Sequence, residues 1–365
     1  MAVPGRARRA PARCEDGLVS DGDHRLLADQ HEGTRGADRP RSGVRPPGPT
    51  LVGIDDVRAA AARVSGQVVR TPLLPCPWAD GARPLWLKPE NLQPTGAFKM
   101  RGAFNAVGAL DPTERARGVV THSSGNHGRA LAWAAGAFGA PVIVVIPETA
   151  PAMKVEGVRA LGAEIVMVPP AERESRAVEI ARDRGMVMIP PFEHAHVIAG
   201  QGTVGLEIVE DLPDLDIVLV PVGGGGLISG IAVAVKALLP AARVVGVEPE
   251  LAGDLAEGFA RGERVAWDPA LTSRTIADGV RLPAVGEFTW RHIERHVDDV
   301  ITVSEVAILD AMGVLARSSR IVAEPSGALT AAAYLSRPDA VTGRTVAVVS
   351  GGNADPALLA QVLRS

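Results

Sequence analysis

A lysine, Lys99, sits among small and apolar residues in QPTGAFKMRGAF (93–104), just after a Pro-Thr-Gly turn signal. Lysine is rarely buried unless something offsets the desolvation of its charge. Its stem could pack while the amine reaches solvent. Alternatively, the amine is a reactive group held in a partly dry site. Two loops bear on the choice. Gly223, Gly224, Gly225 and Gly226 follow VLVPV and precede LISGIAVAVKALL. Bare backbone N–H groups between a strand and a helix can close on an anion, helped by the helix N-terminus. The stretch is not GxGxxG and lacks the Lys-Ser/Thr of a P-loop, so it suits one phosphate better than a pyrophosphate. A turn alone needs only one or two glycines. Ser123, Ser124, Gly125, Asn126 and His127 also lie between a strand and a helix. Their hydroxyls and N–H groups could hold a carboxylate, or Ser124 or Asn126 could be a plain N-cap. A reactive lysine, a phosphate loop and a carboxylate loop together point to pyridoxal phosphate acting on an amino acid.

Such loops need a scaffold. PLWLKPENL, GVVTHSSG, PVIVVIP, EIVMVP, DIVLVPV, ARVVGVEP and RTVAVVSGG read as strands. Between them, IDDVRAAAARVSG, RGAFNAVGAL, NHGRALAWAAGAFG, APAMKVEGVRALGA and AERESRAVEIARDRG read as helices. Alternating strands and helices with continuous Val/Ile runs predict buried parallel sheets in an α/β fold. In open α/β sheets, ligands sit beyond the carboxyl ends of the strands. A third loop, SGGN at 350–353, also follows a strand. Three loops could therefore converge on one cleft.

The 365 residues are enough for two packed lobes. The 46% hydrophobic and 22% charged content is that of a globular protein. A net charge of −4 gives no reason to expect nucleic acid or a membrane surface as partner. The two cysteines, Cys14 and Cys76, exclude a disulfide framework and a Cys-based zinc site, and they fit a reducing compartment. The apolar run 217–239 is long enough for a membrane helix, but Pro221 and the four glycines cut it into strand, turn and helix. The N-terminus has arginines but no apolar export segment. A cytoplasmic protein is therefore expected. Residues 1–49, rich in Arg, Asp, Gly and Pro, are expected to be a disordered extension.

The sequence resembles the fold-type II pyridoxal-phosphate enzymes, specifically the serine/threonine dehydratase and serine racemase group. The matching stretches are KPENLQPTGAFKMRGA, THSSGNHG, VIAGQGT, PVGGGGLISGIA, VEPELAGD, TIADGV, AEPSGA and VVSGGN. They occur in the family's order and cover roughly residues 52–365. The resemblance implies a two-lobed fold like that of the tryptophan synthase β chain, with open, mostly parallel sheets flanked by helices. A small mobile domain would span 118–195, and a large cofactor-binding domain 50–117 and 196–365. Lys99 matches the Schiff-base lysine, Phe98 its neighbour beside the cofactor, and Asn126 the residue bonding the pyridine 3-oxygen. Gly223 to Gly226 match the phosphate loop, and Ser350 the partner of the pyridine nitrogen. A neutral hydroxyl there should favour β-elimination over transamination. The Ser123–His127 loop would hold the substrate carboxylate. VEPELAGD resembles a divalent-cation site, with carboxylates from Glu248 and Asp254 and the carbonyl of Ala252 suiting Mg²⁺ or Ca²⁺ in a structural role.

What the resemblance implies is an L-threonine/L-serine dehydratase acting on a small amino acid, assembled as a homodimer or homotetramer. The alternatives are serine racemisation, with Ser124 matching the residue that protonates the opposite carbanion face, a β-replacement enzyme, or a catalytically silent homologue. His194 and His196, where family members vary, are expected at the surface. Lys154 and Asn353 fit the nucleotide-binding pattern of some racemases, but Arg129 and Leu161 do not, so nucleotide control is not expected. The chain ends at Ser365, soon after SGGN, so feedback through a C-terminal regulatory domain is not expected either.

Overall fold

The computed structural model describes residues 50–364. The expected disordered extension over 1–49 lies outside the described residues. Ten strands are described: β1 Leu74–Pro75, β2 Leu85–Pro89, β3 Val119–His122, β4 Val142–Pro147, β5 Glu164–Val168, β6 Val187–Met188, β7 Ile217–Pro221, β8 Arg243–Pro249, β9 Asp299–Val303 and β10 Thr345–Val349. Six form one sheet in the order β1-β2-β10-β7-β8-β9, and four form another in the order β5-β4-β3-β6. Every pair of these strands is parallel except β1 with β2 at one edge. Parallel neighbours need a crossover, and helices supply it. The expected fold of mostly parallel sheets flanked by helices therefore holds.

The Val/Ile runs become strands because both faces are covered. β7 (IVLVP) and β10 (TVAVV) are buried at every position, and β4 (VIVVIP) at all but its last. Burying each such side chain contributes roughly 1.5–3 kcal/mol against leaving it exposed. The apolar run 217–239 divides into β7 and the helix Gly226–Leu238, as its proline and glycines predict. No described helix is long and apolar enough to cross a membrane.

Three helices carry the centre of the molecule: Lys99–Ala109, Ala195–Asp211 and Gly226–Leu238. They approach at backbone contact. A Cβ on Gly230 would lie 2.3 Å from the Ile198 carbonyl oxygen, and one on Gly200 would lie 2.6 Å from that of Arg101. These glycines cost helix propensity and recover it as close packing. A buried ionic cluster locks the first two helices to β2. Arg101 donates to both oxygens of Glu90 (2.7 and 2.8 Å) and to both of Glu207 (2.6 and 2.8 Å). Lys88 donates to Glu207 and to the Thr71 carbonyl, each at 2.6 Å. Burial alone would raise the Glu90 carboxyl, but the Arg101 guanidinium outweighs it and holds the group below its ordinary value. Such a cluster adds little net stability, yet it fixes geometry, since a slipped helix would strand a buried charge.

Candidate active site

Lys99 opens its helix on a segment stitched to the SGGN loop. The Phe98 N–H donates to the Ser350 carbonyl at 3.0 Å, and Ala97 pairs with Gly351 as an antiparallel bridge. The Lys99 amine donates to the Pro191 carbonyl at 2.7 Å. Burial pushes its pKa down from 10.5 to about 8. The centroid of the Phe98 ring lies 5.0 Å from that amine.

The Ser123–His127 loop leads from β3 into the helix Asn126–Ala137, so its N–H groups sit at a helix N-terminus. His127 is buried, with Nε2 3.0 Å from the Ile189 carbonyl, which fixes the proton on Nε2. Burial first, and the Lys99 charge second, lower its pKa to about 3. The ring is therefore neutral, and its Nδ1, an acceptor, is buried without a partner. That polarity is wrong for gripping a carboxylate through the ring, so the loop's N–H groups and hydroxyls remain for that purpose. Asn126 donates to Glu324 Oε1 at 2.7 Å and accepts from Asn353 at 2.8 Å. Ser350 is buried, and its hydroxyl reaches the Ser326 carbonyl over a long 3.4 Å. At that length the bond is weak and readily exchanged.

In the tetraglycine loop, Gly225 caps the helix with φ +87°, a conformation that an L side chain resists. A Cβ on Gly224 would fall 2.2 Å from the Phe192 ring. Phe192 thus lies on the bare loop, one residue from the carbonyl that takes the Lys99 amine. Ser350 and the residue pair Gly279–Val280 meet at Ser326: the Gly279 N–H donates to Ser326 Oγ at 2.9 Å, and Val280 packs on Gly223. The three loops anticipated from the sequence accordingly share neighbours.

Glu248 and Asp254 form a separate pair at the end of β8: Glu248 is the strand's penultimate residue, and Ala252 lies in the short turn Glu250–Ala252 before Asp254. Both carboxylates are buried, and burial raises both pKa values, Asp254 to about 7. Glu248 takes N–H bonds from Leu255 (3.3 Å) and Ala256 (2.8 Å), while Asp254 Oδ2 has no partner. Two buried carboxylates of like charge with an orphaned oxygen are a donor set that a hard divalent cation would satisfy.

The surface expectation holds for His196 and fails for His194. His194 is half-buried with an unpartnered Nδ1, because it caps the Ala195–Asp211 helix facing inward, and burial lowers its pKa to about 4. Arg129 bonds to Asn353 at 3.1 Å, and Lys154 pairs with Asp278. Sequence reasoning did not single out Glu324, Pro191 or Phe192. Glu324 is buried, and its carboxyl is raised to about 7 by burial and the Asp278 charge. Its signal was an acidic residue in the otherwise apolar and small stretch IVAEPSGA. Pro191 contributes a carbonyl, for which no sequence signal exists.

A half-buried amine of lowered pKa, a glycine loop that any Cβ would fill and an orphaned imidazole nitrogen fit pyridoxal phosphate. This is the class that fold and site define. The chain belongs to the pyridoxal-phosphate dependent enzyme family, whose model matches residues 64–352. It is 40% identical over 320 residues to an L-threonine ammonia-lyase of Thermotoga maritima, covering 86% of this chain and 78% of the relative. The structure of maize serine racemase matches with a TM-score of 0.81 and 40% identity, over 86% of this chain and 98% of that one. A threonine deaminase from T.th. matches with a TM-score of 0.79 and 40% identity, over 83% and 99%. The resemblance read from the motifs is thus the right one, and pyridoxal phosphate is the family's cofactor.

Proposed function

We propose that the chain is an ammonia-lyase for L-threonine and L-serine, releasing ammonia with 2-oxobutyrate or pyruvate. The observation that carries this reading is the Lys99 amine, half-buried, lowered to a pKa of about 8 and set 2.7 Å from the Pro191 carbonyl. The kinship with a threonine ammonia-lyase and a threonine deaminase supports it.

Pyridoxal phosphate, when bound, supplies the electron sink for the pair left by the α-proton. Gly223 to Gly226 would hold its phosphate through N–H groups, Asn126 and Ser350 would bond its ring, and Phe98 and Phe192 would exclude water. The Ser123–His127 loop would fix the substrate carboxylate, leaving the α-carbon over Lys99. An amine near pKa 8 takes that proton without being locked in its charged form. The β-hydroxyl would then leave as water, the α-proton taken by Lys99 balancing the one it needs, and the released enamine would hydrolyse to the 2-oxo acid and ammonia. Glu248, Asp254 and the Ala252 carbonyl would bind Mg²⁺ or Ca²⁺ as a structural ion. Residues 118–195 would form the mobile lobe that closes over substrate, in a cytoplasmic homodimer or homotetramer. Ser124, half-buried on the carboxylate loop, keeps serine racemisation as the second reading, in line with the kinship to maize serine racemase.

The test supplies purified protein, pyridoxal phosphate and Mg²⁺ with L-threonine or L-serine. Fast 2-oxobutyrate with little D-serine is expected; abundant D-serine with slow pyruvate would make the chain a racemase. Lys99→Ala should lose the visible cofactor band and at least about 10²-fold in turnover. A fully active variant would end this reading.

A further inference from the structure

The amide of Asn126 is held at both ends. Its Nδ2 donates to Glu324 Oε1 at 2.7 Å, and its Oδ1 accepts from Asn353 Nδ2 at 2.8 Å. Asn353 Nδ2 also donates to the Thr95 carbonyl at 2.9 Å, and Asn353 Oδ1 accepts from Arg129 Nη1 at 3.1 Å. An amide can sit either way round, because its two ends are alike in shape. A guanidinium, however, only donates, and the Thr95 main-chain carbonyl only accepts. The Asn353 oxygen must therefore face Arg129, and its N–H₂ must face Asn126. That forces the Asn126 oxygen toward Asn353 and its N–H₂ away, toward Glu324. Glu324 cannot impose this order itself. Burial raises its carboxyl to about 7, and a protonated carboxyl can donate as well as accept. Gly351 leaves the space: a Cβ there would lie 2.2 Å from Glu324 Oε1 and 3.3 Å from Asn126 Nδ2.

We propose that Arg129 is a positioning residue, which together with the Thr95 carbonyl holds Asn353 so that an N–H of Asn126, rather than its oxygen, is turned toward the cofactor ring. The inference rests on the reading above that Asn126 bonds the ring oxygen. A reversed amide would set oxygen against oxygen. The guanidinium also polarises Asn353, strengthening its bond to Asn126.

The experiment titrates cofactor-free protein with pyridoxal phosphate and records Kd and the visible spectrum of the bound form. Arg129→Met keeps the aliphatic stem and removes the donors. It should weaken Kd about tenfold, the equivalent of about 1.4 kcal/mol. It should also change the bound spectrum and leave the melting temperature of the cofactor-free protein unmoved. Arg129→Lys, whose ammonium also only donates, should restore the parent's spectrum and bring Kd to within about threefold of the parent's. Asn353→Ala should weaken binding as much as Arg129→Met, and the double variant should be no worse than Asn353→Ala alone. A parental Kd and spectrum in Arg129→Met would overturn the proposal, as would additive losses in the double variant. Should Arg129→Met fail to fold, Asn353→Ala decides, and a parental Kd there overturns the relay. A parent protein that takes up no cofactor would bring down the functional reading and this inference together; a parent that binds, beside an indifferent Arg129→Met, brings down the inference alone.

Discussion

At the scale of single residues, the site depends on groups whose ordinary chemistry has been altered by burial. Lys99 is the clearest case. Only a neutral amine attacks the cofactor's carbonyl, so the rate of cofactor uptake by cofactor-free protein should rise with pH through a midpoint near 8 and level off above it. Stopped-flow absorbance at a series of pH values measures this. A rate still climbing toward 10.5 would mean that the amine is unperturbed. The same shift predicts a sign for stability. Between pH 8 and 10.5 the unfolded chain binds more protons at this lysine than the folded one, so the cofactor-free protein gains stability across that window as pH rises. Lys99 was legible in the sequence as an amine in apolar company. What lowers its pKa was not, because the enclosing wall includes Pro191, 92 residues away.

At the scale of elements, the working parts are strand ends and helix starts, and glycine decides how closely they meet. The tetraglycine loop was legible from composition alone, since four successive glycines carry one meaning in few contexts. Its cover, Phe192, was not, because nothing in PPFEHAH says which loop an aromatic ring will rest on. Gly224→Ala should displace that ring and weaken pyridoxal phosphate at least about tenfold, by removing both the space and the approach of bare N–H groups. Titration of the visible band tests this, with circular dichroism to show that the fold persists; unchanged affinity would count against a phosphate at this loop. The helices behind the site should be less forgiving. In Gly230→Ala the new methyl lies 2.3 Å from the Ile198 carbonyl and 2.4 Å from the Gly202 nitrogen. Overpacking of this kind should cost about 1–3 kcal/mol in urea unfolding.

At the scale of the whole molecule, two buried charge centres matter, and the first, around Arg101, holds segments distant in sequence. Arg101→Met leaves Glu90 and Glu207 without their shared cation. It should destabilise the protein by about 3–5 kcal/mol and loosen the seat of Lys99. A urea midpoint equal to the parent's would show the cluster to be dispensable. The second centre is the Glu248–Asp254 pair. Saturating Mg²⁺ should raise the melting temperature, by an amount equivalent to about 2.7 kcal/mol at a hundredfold excess over Kd. Glu248→Gln should abolish that rise. A rise that survives the substitution would place the ion elsewhere.

By itself, the sequence determined the fold class and most of the reactive groups. Val/Ile runs between helical stretches leave few alternatives to buried parallel strands, and glycine loops at strand ends leave few places for a ligand. These are local consequences of side-chain size and backbone freedom. Only the tertiary structure decided which strands are neighbours. β10, near the end of the chain, lies between β2 and β7, which carries Ser350 to Phe98. It alone also brought Glu324, Asn353 and Arg129 to Asn126 and turned His194 inward. The reason is that burial and pairing are properties of what lies across the fold from a residue. A sequence read along the chain shows each partner's chemistry but not its distance.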